Sequence, residues 1–104
     1  MTAVLWTVGG FLFLAGLSML MIRRQILAML LGLELMVNAA ALLLVQVACG
    51  LSDSAGLAAA LLVIAVAAAE AVVGLSLIIR LADCGGGLET SALRELGELS
   101  GEAS

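Results

Sequence analysis

Two acidic residues are the best candidates for chemistry in this sequence, because each lies inside a long apolar segment. Glu34 stands between Leu33 and Leu35, and Glu70 follows the run Ala67–Ala69. An acid at the centre of a membrane helix disfavours insertion by about 2.5–3.5 kcal/mol, so such acids are rare and usually mark ion or proton paths. A carboxyl at that depth that accepts and releases a proton can carry it. The two acids therefore indicate proton translocation.

The two glutamates are predicted to lie at matched depth. Glu34 follows Arg23 by about three helical turns, and Glu70 precedes Arg80 by about the same distance. At helical rise both lie roughly 15 Å from a charged end, close to the middle of a hydrocarbon core of about 30 Å. No arginine or lysine of this chain is near enough in sequence to pair with either acid. The alternative is that each glutamate is a neutral hydrogen-bond donor to a neighbouring helix.

The residues around the acids predict a packed interior. Asn38 shares a helix face with Glu34, and it could bond to that carboxyl, to its own backbone or to another helix. Ala67 and Gly74 flank Glu70 at spacings of three and four residues, and such small residues let helices approach closely. Three helices enclose a polar path poorly, so partner helices and a hetero-oligomeric assembly are expected.

The composition predicts an integral membrane protein. Of the 104 residues, 64% are hydrophobic, and the mean hydropathy is +1.31. Soluble chains have less apolar content than this. Four arginines, no lysine and a net charge of −4 argue against a nucleic-acid partner. Cys49 and Cys84 lack metal-ligand spacing, and a disulfide between them would have to cross the membrane, so both are interpreted as small apolar fillers.

The chain is predicted to be all-α, with a membrane domain over 1–82 and a flexible acidic tail over 83–104. The apolar runs predict three membrane spans, at about 3–22, 26–49 and 57–82. The first run is interpreted as a span that stays in the protein and not as a signal peptide, because its arginines follow the apolar stretch. The segment 50–56 has the Gly, Ser and Asp content of a turn.

The tail has two possible forms. Its apolar positions fall on one helical face, which is typical of a short amphipathic helix; they are Leu88, Ala92, Leu96 and Leu99. Gly97 and Gly101 weaken a helix, so a solvated tail is the alternative.

The arginines predict the orientation. Arg23 and Arg24 follow the first span, Arg80 ends the third, and Arg94 is in the tail, so all four fall on one side. The positive-inside rule places that side, with the short C-terminal tail, in the cytoplasm and the N-terminus outside. Trp6 falls near the opposite interface, where its ring is favoured.

The motifs resemble those of the K-subunit family of bacterial NADH:quinone oxidoreductase, respiratory complex I, whose mitochondrial counterpart is chain 4L. The resemblance covers about residues 1–82. It rests on Arg23-Arg24, on the stretch Gly32–Asn38 (GLELMVN) and on the stretch Ala67–Gly74 (AAAEAVVG), in that order. The combination is specific, whereas either stretch alone is weaker.

The resemblance implies a membrane-arm subunit of a bacterial inner (plasma) membrane complex, beside other membrane-arm subunits that include an antiporter-like one. It assigns Glu34 and Glu70 to the proton-translocating axis, and Arg23 and Arg24 to supporting roles. Asn38 is expected to support Glu34 because the two share a helix face. No cofactor is expected in this chain, whereas the whole complex would use NADH, FMN, iron–sulfur clusters and quinone. The isolated chain would not be catalytic.

The sequence departs from the family pattern in four places. Gln25 and Ala41 stand where relatives commonly have asparagine, the 50–56 turn is short, and the tail beyond Ala82 has no counterpart. These departures concern contacts made by the loops and leave the glutamate pair intact.

Four other classes compete with this interpretation. The related small subunit of multisubunit cation/proton antiporters generally lacks the glutamate pair. A small multidrug exporter needs four spans and an acid in the first, and the rotor ring of an ATP synthase has two spans and one acid. A purely structural assembly subunit remains open.

Overall fold

The computed structural model consists of three antiparallel helices joined by short connections. It describes residues 1–85 and, farther along the chain, residues 94, 95, 97, 98, 100 and 101. The helices are α1 (Thr2–Ile22), α2 (Ile26–Gly50) and α3 (Ser54–Asp83). Each is long and apolar enough to cross a membrane. The all-α, three-span fold predicted from the sequence is therefore confirmed.

The connection between α2 and α3 is shorter than the predicted 50–56 turn. α2 continues through Gly50, and α3 begins at Ser54. The Asp53 side chain caps α3, because its Oδ1 accepts a hydrogen bond from the amide of Ala55 at 3.0 Å. Ser52 has a φ of 53°, the left-handed conformation that reverses the chain. Because Asp53 caps the helix, the residues 54–56, whose composition indicated a turn, belong to α3.

α3 also ends later than predicted. It includes Asp83, which the sequence interpretation assigned to the tail. In the tail itself, the described residues are helical and exposed. The four apolar positions of the predicted amphipathic face lie outside the described residues, so that prediction stands untested.

α2 is the central helix of the three. It packs against both α1 and α3, and direct contacts between α1 and α3 are few. The buried positions are nearly all small: Gly9 and Gly16 on α1, Gly32, Ala39, Ala41 and Ala48 on α2, and Ala60 and Ala67, joined by Ile78, on α3. Small side chains let helix backbones approach closely, which is how helices associate in lipid.

At the α1–α2 contact, the backbones of the two helices touch each other directly. A Cβ atom on Gly16 would lie 2.5 Å from the carbonyl oxygen of Gly32, and one on Gly32 would lie 2.7 Å from that of Gly16. Neither position has room for a side chain. This crossing fixes α1 against α2 two residues before Glu34.

The α2–α3 contacts define an antiparallel register. A Cβ on Gly74 would lie 2.9 Å from Leu30 Cδ1, and a Cβ on Gly56 would lie 2.7 Å from Ala48 Cβ. From the first pair to the second, α2 advances from position 30 to 48 and α3 runs back from position 74 to 56. Both steps are about five helical turns. Equal steps mean that the two helices stay in register between these contacts.

The outer faces of the helices carry large apolar side chains. Among the most exposed are Phe11 at 72%, Leu61 at 69% and Val72 at 65%. Three helices that touch through small residues cannot cover such faces, which require lipid or partner helices.

Candidate functional site: the membrane glutamate pair

Glu34 and Glu70 lie at the same level of the α2–α3 pair. Glu34 is four residues beyond Leu30 on α2, and Glu70 is four residues before Gly74 on α3, and Leu30 contacts Gly74. Since the helices are antiparallel and in register, four residues in these directions bring both chains to one depth. The distances from the arginines along the sequence predict the same match.

Both acids also belong to the seam at which α2 and α3 meet. Glu34 precedes Ala48 by two heptads, and Glu70 follows Gly56 by two heptads, and Ala48 packs against Gly56. Positions one heptad apart recur on the same side of packed helices. Each glutamate therefore occupies a position that packs against the other helix elsewhere along the seam.

The depth of the pair is set by the helix ends. Glu34 lies about two turns from the first residue of α2, Ile26, and Glu70 lies about three and a half turns from the last residue of α3, Asp83. At helical rise these distances are about 12 Å and about 20 Å. They differ because α3 extends beyond the start of α2 at the end that carries the arginines.

The two carboxyls differ in exposure. Glu34 is half-buried, whereas Glu70 is exposed. Glu70 lines a cleft of about 310 Å³ between α2 and α3, together with five apolar residues: Val37, Leu62, Val63, Val66 and Ala67. Its carboxyl is thus the one ionisable group of a small apolar cleft that opens to the outside of the helix pair.

Neither carboxyl is paired within the part of this chain that the structure describes. No hydrogen bond reaches Glu34 or Glu70 there, and the polar side chains of the helices bond instead to nearby backbone carbonyls. An unpaired acid at membrane depth is costly. Within the described residues of this chain, neither carboxyl has the hydrogen-bond partner that would lower this cost.

The supporting residues occupy separate places. Asn38 is exposed, one turn beyond Glu34, and over residues 1–85 its side chain forms no hydrogen bond, either to that carboxyl or to the backbone. None of the three hydrogen bonds considered from the sequence, to Glu34, to the backbone or to another helix, forms within residues 1–85. Arg23 and Arg24 are exposed in the connection between α1 and α2, where the Arg23 amide donates to the Met19 carbonyl at 3.0 Å.

Two features of the site were not predicted from the sequence. One is the backbone crossing of Gly16 and Gly32 next to Glu34, for which the only sequence signal is a glycine inside the GLE stretch. The other is the apolar cleft beside Glu70.

In residues 1–85 and the described tail positions, no group of three His, Cys, Asp or Glu side chains could hold a metal ion. Cys49 and Cys84 are free and exposed.

The fold and the site define a class: a small polytopic subunit with two carboxyls at one membrane level and lateral faces that need partners. The chain belongs to the family of NADH-ubiquinone/plastoquinone oxidoreductase chain 4L, whose model it matches over residues 4–98. It is also 45% identical over 74 residues to the NADH-quinone oxidoreductase subunit K of Pseudomonas fluorescens (strain SBW25), covering 71% of this chain and 72% of that relative.

The resemblance drawn from the arginine pair and the two glutamate motifs is confirmed by these matches. Its predicted extent of about 1–82 was too short, because the family match continues to residue 98 and so includes most of the tail. The chain is a membrane-arm subunit of an NADH-quinone oxidoreductase, a multisubunit enzyme whose other subunits are its partners. The antiporter, exporter and rotor-ring alternatives are thereby set aside, and a purely structural role within the complex is the alternative that remains.

Proposed function

We propose that Glu34 and Glu70 couple electron transfer elsewhere in the enzyme to proton translocation, by changing protonation or hydrogen-bond partners during turnover. The observation that carries this proposal is their common level on the α2–α3 seam, with neither carboxyl paired within residues 1–85. Burying two acids in the membrane is energetically unfavourable. Their common level gives this arrangement a function, because a proton can pass laterally from one carboxyl to the other.

The geometry supports a path that includes water. Packed helices have axes about 8–10 Å apart, whereas a proton passes along hydrogen bonds of about 2.5–3.0 Å. The cleft beside Glu70, of about 310 Å³, has room for several waters, each of which needs about 10–15 Å³ of such space. Glu70 supplies one polar partner for them, and neighbouring subunits supply the others.

The subunit acts without redox chemistry of its own. NADH, FMN, iron–sulfur clusters and quinone belong to other parts of the complex, and this chain contributes the carboxyls. An antiporter-like subunit is the neighbour that would continue the proton path, with Asn38, Arg23 and Arg24 supporting it. The membrane is the bacterial inner (plasma) membrane, with the N-terminus outside and the C-terminal tail in the cytoplasm.

The test is proton pumping in membranes that carry Glu34→Gln, Glu70→Gln or both changes. Glutamine keeps the size and hydrogen-bonding capacity of the side chain but cannot exchange a proton. We expect NADH-driven pumping and coupled quinone reduction to fall by about a hundredfold or more in the double variant, because positioned acid–base groups contribute roughly 10²–10⁴-fold. Assembly of the complex is measured with native gels and with the rate at which NADH reduces a soluble electron acceptor.

The matched control is Glu95→Gln, which removes an exposed carboxyl from the tail and should leave pumping unchanged. Normal pumping by a fully assembled double variant would contradict the proposal and favour the purely structural role. Loss of assembly in the glutamine variants is resolved with Glu34→Asp and Glu70→Asp. These keep the carboxyl, and the proposal requires them to pump better than the glutamine variants.

A further inference from the structure

Asn38 places a side-chain amide at the middle of α2. It is the central residue of the helix, equally far from Ile26 and Gly50, so it lies about 18 Å from each end. Its side chain is exposed, and it forms no hydrogen bond in the part of the chain that the structure describes. Hydrocarbon offers an amide no hydrogen bond, so an unpaired amide at this depth is unfavourable.

Four other uncharged polar side chains of the helices avoid this cost. The hydroxyls of Thr7, Ser18 and Ser76 each donate a hydrogen bond to a backbone carbonyl of the preceding turn. Gln46 is also unpaired among the described residues, but it lies one turn before the end of α2. Its amide is about 6 Å from that end and can reach water there. Asn38 has neither solution within the described residues.

Neither α1 nor α3 covers Asn38. A helix turns by about 100° per residue, so Asn38 points about 120–140° away from Gly32 and Leu43, which contact α1. By the same count it points about 80° away from Leu30 and Ala48, which contact α3. Asn38 thus belongs to the side of α2 that its two neighbouring helices leave uncovered.

The uncovered side of α2 is long enough for a transmembrane helix. Leu27, Leu31 and Cys49 point within about 20° of Asn38, and all three are exposed. We call these four residues the Asn38 strip. The strip extends from Leu27 to Cys49, which is about 33 Å at helical rise and matches a hydrocarbon core of about 30 Å.

We propose that the Asn38 strip packs against a transmembrane helix of another subunit of the enzyme, and that this helix carries a polar side chain hydrogen-bonded to Asn38 at mid-membrane. Asparagine side chains hydrogen-bond across membrane helices in this way. The amide offers two N–H donors and a carbonyl acceptor, so a hydroxyl, an amide or a carboxyl complements it. A lipid acyl chain offers no such group. The chain is a subunit of a multisubunit enzyme, whose other subunits can supply the helix.

The experiment uses the assembled complex in its own membrane. The photoreactive amino acid p-benzoylphenylalanine replaces Leu31, and the adducts formed on illumination are mapped by mass spectrometry. We expect an adduct to a membrane helix of another subunit. In that helix a polar side chain should lie about one heptad, or about 10 Å, from the labelled residue, because this is the distance from Leu31 to Asn38 along the strip.

A set of substitutions tests the hydrogen bond itself. Asn38→Leu removes the amide and keeps a side chain of similar size. We expect the ratio of bound to dissociated subunit in a detergent titration to fall by roughly fivefold, since one interhelical hydrogen bond contributes on this scale. Asn38→Gln keeps the amide and should retain more subunit than Asn38→Leu. Gln46→Leu, the matched control, removes the unpaired amide near the end of α2 and should leave the ratio unchanged.

Four outcomes overturn the proposal. Adducts to lipid alone would show that no helix covers the strip, and adducts to a second copy of this chain would show a different partner. A labelled helix without a polar side chain at the level of Asn38 would exclude the hydrogen bond. Equal retention of the Asn38→Leu and Gln46→Leu variants would show that the amide does not contribute to docking. If Asn38→Leu does not insert, the adducts from position 31, made with Asn38 unchanged, still decide.

Discussion

Glu34 on α2 and Glu70 on α3 lie level with each other, four residues from the contact between Leu30 and Gly74. The register that produces this match also places Ala48 against Gly56, so it is a property of the whole seam. A shift of one helix along the other would separate the acids in depth. The seam is therefore what keeps the two carboxyls together, and its register can be tested directly.

Cysteine cross-linking should reproduce the register. Leu30→Cys combined with Gly74→Cys is expected to form a disulfide, because a Cβ at position 74 would lie 3.7 Å from Leu30 Cγ, which is where the sulfur of a cysteine at position 30 would lie. Leu30→Cys with Ala67→Cys is the control, displaced by one heptad, or about 10 Å along α3. Both pairs are made with Cys49 and Cys84 replaced by serine, and gel mobility after proteolysis between the helices is measured. Efficient cross-linking of the control pair would show that the register is wrong.

The crossing of α1 and α2 should tolerate no side chain. Gly16→Ala places a Cβ against the backbone of Gly32, which cannot move aside as a flexible side chain can. Overpacking of this kind costs about 1–3 kcal/mol, so we expect less assembled complex and a lower temperature of inactivation. Gly10→Ala is the matched control on the same helix, since a Cβ there meets nothing within 4 Å. Equal yields of the two variants would contradict the close crossing.

The cap of α3 should contribute measurably to stability. Asp53→Ala removes the acceptor for the Ala55 amide, and loss of such a cap costs about 1 kcal/mol. The expected result is a lower inactivation temperature of the complex. Asp53→Asn keeps an oxygen at the acceptor position and should behave like the unchanged protein. If Asp53→Ala is as stable as Asp53→Asn, the side-chain cap does not hold the start of α3.

The orientation has a clear readout. The arginines before α2 and at the end of α3 lie at one end of the helices, and the turn Leu51–Asp53 at the other. The positive-inside rule therefore predicts that a reporter fused after Ser104 is active in the cytoplasm. A reporter inserted at Ser52 should be active on the opposite side. The reverse pattern would overturn the orientation, although the common level of Glu34 and Glu70 would stand.

The sequence predicted the three helices and the matched depth of the glutamates because both depend only on chain length and helical rise. It overestimated the turn at 50–56, since composition alone does not show that Asp53 would cap a helix. It could not show that α2 is central or that Gly16 meets Gly32. The helices are apolar on every side, so periodicity does not reveal which face packs, and the pairing of two distant glycines appears only in three dimensions.

The central place of α2 has a consequence for how the protein is made. Because α1 and α2 are synthesised before α3, the contact between Gly16 and Gly32 can form before the segment that contains Glu70 has left the ribosome. Glu34 then sits in the bilayer without its counterpart, and α3 delivers the second acid to a hairpin that already exists. The unfavourable free energy of inserting the two acids is thus divided between two steps of biogenesis. The later step, insertion of α3, completes the seam.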